Sequence, residues 1–255
     1  MPSNLEKLHL RHSVRSYSDI SIPESLRNYL RAEITQICTH EPGLHFQIFF
    51  DDPTPFQGFR KSYGFFKGVR NYLACVVDDH YPNTFERAGY FAQQIVMCAV
   101  EHGLGTCYVG GTFDRNSLSV VLRAGWTVPF VIAFGYPSEH RQSFIANAAT
   151  RYIHRNDKQP KDFFEGENGE LLKCMKEIPW LEMGLKGLAC APSALNKQPV
   201  RIYVNNGNIF AKVDETNPKN LIDLGIGMWN FGYAADGDWE FGNPAAFYPF
   251  GDNTD

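Results

Sequence analysis

The sequence predicts an α+β chain in which one arrangement of helices and strands occurs twice. Two observations point to it. Apolar residues switch repeatedly between the 3.6-residue spacing of helices and the short dense runs of strands, with Gly and Pro at the boundaries. The order of elements in residues 1–140 then returns, shortened, in residues 173–255. Self-similarity of that length points to duplication. The alternative is two unrelated stretches with similar burial patterns.

The elements read in order as follows. Residues 3–10 form a short helix, with Ser3 as N-cap and Glu6 in capping-box position. The segment from Arg11 to Tyr17 follows directly. Residues 23–37 form a helix with Leu26, Tyr29, Leu30 and Ile34 on one face, and residues 45–50 and 71–77 are strands. Residues 84–102 form a long helix, because Ala88, Phe91, Ala92, Ile95, Val96, Ala99 and Val100 recur at helical spacing, and Gly103 is a natural C-cap. Residues 107–111 read as a turn leading away from it, and residues 126–135 as a strand. Residues 138–170 are polar, which places a connecting excursion at 141–172. In the second half, residues 181–190 read as a helix. Residues 200–204 match 46–50 as a strand, and 208–213 parallel 71–76. Asp223-Leu224-Gly225 opens an apolar helix through Ala235, as Arg87-Ala88-Gly89 opens the helix through Ala99.

Composition narrows the function classes. The chain has 255 residues, 44% apolar and 20% charged, which is ordinary globular usage. A net charge of −4 argues against nucleic acid as a partner. Six scattered cysteines form no CxxC pair and no zinc spacing, as in a protein of the reducing cytosol, and no metal is expected. No apolar run is long enough to cross a bilayer, and no basic region followed by an apolar one marks a signal peptide. The expectation is a cytoplasmic protein. Aromatics at 14% suit a pocket with planar walls or a well-packed core.

Three segments carry candidate chemistry. Arg11, Ser13 and Arg15 alternate along an extended stretch, so two guanidiniums and a hydroxyl project to one side. The planar fork of arginine fits phosphate bidentately, although the same pattern is common on solvated surfaces. His12 adjoins them, either touching the same anion or simply solvated. Pro192-Ser193-Ala194-Leu195-Asn196-Lys197-Gln198-Pro199 is a proline-stiffened loop after a helix. It presents Ser193 and Asn196 as positioned polar groups, or caps its own backbone with them. Gly110-Gly111 lets backbone N–H groups approach a ligand, or merely turns. Phe56, Phe59, Tyr63, Phe65 and Phe66 form either an aromatic lid or a satellite apolar cluster.

Taken together, Arg11-His12-Ser13-Val14-Arg15-Ser16-Tyr17, Gly103-Leu104-Gly105-Thr106 with Gly110-Gly111, the strand ending Gly135-Tyr136-Pro137 and the 192–199 loop resemble the nitroreductase family. The resemblance covers most of residues 5–137 and 178–240. It implies a nitroreductase-like fold with antiparallel-rich sheets packed with helices, and FMN bound between two subunits. It also implies site roles. Arg11 and Ser13 would hold the phosphate and ribityl chain, with His12 beside them. Arg15 would lie at the pyrimidine edge, and Gly110 and Gly111 would turn N–H groups toward N5. Pro192, Ser193 and Asn196 would contact the isoalloxazine and ribityl from the opposite half. Arg155 resembles the late phosphate-binding arginine of the family, with Arg151 as a rival.

This sequence departs from the family pattern. In ordinary members the Pro-Ser-x-x-Asn loop follows the Arg-x-Ser-x-Arg segment closely; here more than a hundred residues intervene. The loop's first-half equivalent is His40-Glu41-Pro42-Gly43-Leu44-His45, and the Arg segment's second-half equivalent is Glu177-Ile178-Pro179-Trp180. One composite site keeps all its parts and the other has lost both. That is the pattern of a monomer acting as a pseudo-dimer with a single FMN. The implied activity is reduction of nitroaromatic- or quinone-like small-molecule acceptors by NADH or NADPH, in a ping-pong cycle. The competing reading is a flavin sensor or carrier without efficient turnover.

Overall fold

The computed structural model describes residues 2–57, 65–138 and 157–251. The described residues form six α-helices and two four-stranded antiparallel sheets. The chain divides into two compact units. One comprises Leu10–Thr84 and Ile95–Arg155; the other comprises Met1–His9, Phe85–Gln94 and Asn156–Asp255.

The first unit is built on a sheet of order β1-β2-β4-β3, with β1 at Leu44–Phe49, β2 at Asn71–Asp78, β3 at Gly105–Val109 and β4 at Trp126–Gly135. Side chains alternate across the sheet, so a central strand covered on both faces becomes apolar throughout. Residues 71–77 of β2 are all buried for this reason. On one face Ile48, Leu73, Ile132 and Phe134 meet Leu30 of helix α2 (Glu24–His40) and Ile95, Val96 and Ala99 of helix α3 (Thr84–Glu101), around a small apolar cavity. On the other face Tyr72, Ala74, Val131 and Ala133 pack with Val14, Tyr17, Phe56 and Phe113. The buried stripe of α2 is Leu30, Ile34 and Ile37, whereas Tyr29, expected on it, is exposed and lies against the His102 ring. Gly103 takes a φ of +79° and its N–H donates to Val100 O at 2.9 Å, closing α3 as its position predicts.

Residues 105–109 correct the sequence reading. They form the edge strand β3, not a turn, because this run pairs with β4 from Gly105↔Gly135 to Val109↔Val131. The outer edge of β3 is then covered by the segment around Ser13. Ser13 bridges Thr106 in parallel, and Val14 N–H donates to Thr106 O at 2.9 Å.

The second unit carries β5 (Arg201–Asn205), β6 (Asn208–Lys212), β7 (Gly237–Glu240) and β8 (Ala245–Pro249) in the order β5-β6-β8-β7. It also carries helix α1 (Asn4–Leu10) up to His9, together with α4 (Asn168–Glu177), α5 (Leu181–Ala189) and α6 (Pro218–Ala235). Leu181, Leu185, Leu188, Leu224, Met228, Phe231, Trp239 and Phe247 make its core, and the Trp239 indole donates to Met228 O at 2.8 Å. Helix α6 is buried almost all round, as an apolar central helix should be. It crosses the 85–94 segment of α3 with backbone against backbone. A Cβ on Gly225 would lie 1.8 Å from Glu86 O, and one on Gly89 would lie 2.0 Å from Ile222 O. A buried amide pair, Gln93 Nε2 to Asn230 Oδ1 at 2.8 Å, fixes the same crossing.

Each half of the sequence reads strand, strand, long helix, strand, strand, and the two sheets share one strand order. Helix α4 and strands β7 and β8 are absent from the sequence reading, which treats residues through 170 as a polar connection. Helix α6 also starts earlier than predicted, at Pro218, with Asn217 accepting from Asn220 N–H as N-cap.

Candidate functional site

The Arg11–Tyr17 segment is fixed by its backbone. Tyr17 N–H donates to Lys67 O and Lys67 N–H to Arg15 O, both at 2.9 Å, while Ser138 N–H donates to Ser16 O at 3.0 Å. The buried Tyr17 hydroxyl lies 2.6 Å from Val14 O and 3.0 Å from Ala133 O. Burial pushes this phenol well above its ordinary range, so it stays neutral. The extended register drives Val14 and Ser16 inward and leaves Arg11, Ser13 and Arg15 partly open. Cys107 is buried on β3. Burial pushes its thiol up, while Arg15 and Arg11 and a hydrogen bond with Ser13 act in the opposite direction. The Ser13–Thr106 pairing sets the segment that carries the two arginines alongside this strand. His12 is exposed, with Nδ1 3.3 Å from Leu10 O.

Gly110 and Gly111 continue β3 beyond Cys107. Both are exposed, neither has a positive φ, and a Cβ on either would meet no protein atom within 4 Å. Neither backbone conformation nor protein packing therefore requires glycine at either position. Exposed peptide at the end of the strand that Ser13 pairs with leaves room for a flat ligand such as FMN, and the two arginines of the Ser13 segment suit its phosphate. Arg115 steadies the turn by donating to Gly110 O at 3.2 Å and to Val128 O at 2.6 Å.

The 190–200 connection between α5 and β5 belongs to the second unit. Leu195, Asn196 and Gln198 take φ values of 53°, 53° and 47°, three left-handed non-glycine residues within four positions. Such conformations persist only where the surroundings impose them. Three ties do so. Ser193 Oγ accepts from Gln198 N–H at 2.9 Å; both carboxylate oxygens of Asp223 lie 3.0 Å from Ala194 N; and Lys158 donates through N to Gln198 Oε1 and through Nζ to Gln198 O. Asn196 Nδ2 donates to Asp157. Ser193 thus serves its own loop as a cap, and its hydroxyl proton remains available to donate. Asn196 is tied across the chain instead, and Pro192 is half-buried.

The corresponding connection between α2 and β1 has only residues 41–43, against eleven residues at 190–200. It is closed on itself: Leu44 N–H donates to Glu41 O, and a Cβ on Gly43 would lie 2.4 Å from the Tyr81 ring.

The model of the family described as "Putative TM nitroreductase" matches residues 4–235. The chain belongs to this family. A solved structure from Thermotoga maritima, described as a "putative nitroreductase", is 21% identical, with a TM-score of 0.61 over 96% of this chain and 93% of that one. That likeness shows the nitroreductase-like fold. An FMN-dependent nitroreductase from Clostridium difficile is 17% identical with a TM-score of 0.42, over 60% of this chain and 98% of that chain. A nitroreductase with bound FMN from Desulfitobacterium hafniense is 12% identical with a TM-score of 0.43, over 56% and 93%. No curated protein sequence gives a significant match.

For this nitroreductase-family chain, Arg11, Ser13, Arg15, Gly110 and Gly111 fall within one unit, and Pro192, Ser193 and Asn196 within the other. Arg155 and its rival Arg151 lie outside the described residues, as do Phe59 and Tyr63 of the aromatic loop. Phe56 is a buried core residue, edge-on to Phe66 at 5.6 Å. Sequence reasoning missed Cys107 and Asp223. A lone acid inside the apolar run after Pro218 is the signal that marks Asp223. Among the described residues no cluster of His, Cys, Asp or Glu could hold a metal ion, and no helix is long and apolar enough to cross a membrane.

Proposed function

We propose that this chain is an FMN-dependent oxidoreductase, reducing a small flat acceptor of the nitroaromatic or quinone kind at the expense of NADH or NADPH. The observation that carries the reading is the pairing of Ser13 with Thr106 at the edge of β3, which sets the partly open Arg11, Ser13 and Arg15 along the strand whose end carries the exposed Gly110 and Gly111. The family match supports an oxidoreductase, and a nitroreductase neighbour with bound FMN is consistent with the cofactor.

In this reading FMN supplies the hydride-accepting and hydride-donating centre. Arg11 and Ser13 hold the phosphate and ribityl, with His12 alongside and Arg155 or Arg151 as a further phosphate ligand. Arg15 would offset negative charge on the reduced ring system. Gly110 and Gly111 would offer backbone N–H groups to the flavin. Pro192, Ser193 and Asn196 of the second half would add contacts to the ring system. Reductant and acceptor would bind in turn, and ping-pong kinetics are the expected outcome.

We further infer that the chain is an internally duplicated, cytoplasmic monomer. Its halves are residues 1–140 and 173–255, joined through 141–172. Three features support the duplication: the common strand order; the reciprocal approach of Gly89 to Ile222 and Gly225 to Glu86; and the shortened 41–43 connection, which matches the loss of a second site. Purified protein should be yellow, and anaerobic NADH or NADPH should bleach it. Colourless protein that fails to take up added FMN overturns the reading. Yellow protein that neither reductant bleaches favours a flavin sensor or carrier.

A further inference from the structure

We propose that Asp223 is the positioning residue that sets the flavin-facing 193–198 loop in its binding-competent shape. This inference rests on the composite-site reading above. Asp223 is 4% exposed, near the start of α6, and both its oxygens lie 3.0 Å from the Ala194 amide nitrogen. Ala194 follows Ser193 and precedes the three left-handed residues. A buried carboxylate is expensive unless its hydrogen bonds are made, and this one spends itself on the single N–H that launches the strained turn. The apolar surroundings make the contact sensitive to charge, since an ionised acceptor binds an amide more strongly than a neutral one.

The charged groups on neighbouring elements are Lys197 on the loop, Asp157 and Lys158 beside Asn196 and Gln198, Glu182 and Lys186 on α5, and Glu86 and Arg87 on the crossing segment of α3. Burial pushes the Asp223 carboxyl up to about 7, and the Ala194 N–H and Lys197 hold it back from going further. The sign follows. Above about pH 7 the carboxylate is charged and grips Ala194; as pH falls through that value the grip weakens. Because the folded value is raised, the native state binds the extra proton between the ordinary carboxylate range and 7. Global stability therefore rises as the loop loosens. Stability and flavin affinity should move in opposite directions.

Two measurements test this. In the flavin-free protein, the Ala194 amide resonance should titrate with a midpoint near 7 in wild type and not in Asp223→Asn. Riboflavin, which lacks the phosphate and its own titration, should bind wild type about fivefold more tightly at pH 8 than at pH 6. Asp223→Asn keeps an acceptor of the same shape. It should bind riboflavin at both pH values about as wild type does at pH 6. An amide that does not titrate, or a variant that keeps the wild-type pH profile, overturns the role of Asp223. Protein that shows the amide titration but binds neither riboflavin nor FMN overturns the flavin reading and, with it, the loop's proposed ligand.

Discussion

A guanidinium contributes most to binding when the protein has ordered it beforehand. The Arg11–Tyr17 segment meets that condition through its ties to Thr106, Lys67 and Ser138. Arg11→Ala should therefore remove a bidentate, charge-assisted phosphate contact, costing about 2 kcal/mol or roughly thirtyfold in FMN affinity. Riboflavin should bind wild type and variant alike in a fluorescence-quenching titration. Equal loss for both ligands would mean that Arg11 acts through folding. Gly111 offers the complementary test. A Cβ there meets no protein atom, so Gly111→Ala should leave the denaturation midpoint within about 0.5 kcal/mol of wild type. It should nevertheless weaken FMN binding severalfold by filling the space against the peptide. A stability loss without a binding loss would show that the glycine serves the fold.

The α3–α6 crossing makes the opposite prediction. Alanine in a helix ordinarily gains about 1 kcal/mol over glycine. At Gly225 the new Cβ would sit 1.8 Å from a backbone carbonyl, which no rotamer change relieves. The helices must part, and overpacking of this kind costs about 1–3 kcal/mol. Gly225→Ala should lower the urea midpoint, and an unchanged or raised midpoint would show that the crossing is loose. Elements of this size were legible where the pattern was long. The ten-residue run of β4 and the periodic apolar stripe of α3 fall at their predicted positions. Short or weakly apolar elements were not. Helix α4 buries only Leu171 and Cys174, and β7 has four residues between turn-forming neighbours. β3 was hidden because Gly110-Gly111 overrode the five residues before it. In the site, the arginine segment and the proline loop were readable as local motifs. Asp157, tied to Asn196 from 39 residues away, and Asp223, tied to Ala194 from 29 away, were not, because only the folded chain brings them together.

For the whole molecule, the decisive quantity is the number of flavins. Two sheets of one strand order could in principle support two equivalent sites, as two subunits would. The two connections that would complete them differ, however. Residues 190–200 form a long, strained, partly open loop, whereas residues 41–43 are short and packed against Tyr81. Serine and asparagine are present in the first and missing from the second, and Glu177-Ile178-Pro179-Trp180 offers no arginine to a second phosphate. One composite site should therefore survive. Flavin absorbance against protein concentration should give about one FMN per polypeptide, with the protein eluting as a monomer. Asn196→Ala should weaken FMN binding or shift its reduction potential, since a polar contact to the flavin is lost. Substitutions at 41–44 should leave the flavin untouched, because that connection would face the site that has vanished. Two FMN per chain, or a flavin that responds to residues 41–44 and ignores Asn196, would mean that the halves do not share one site.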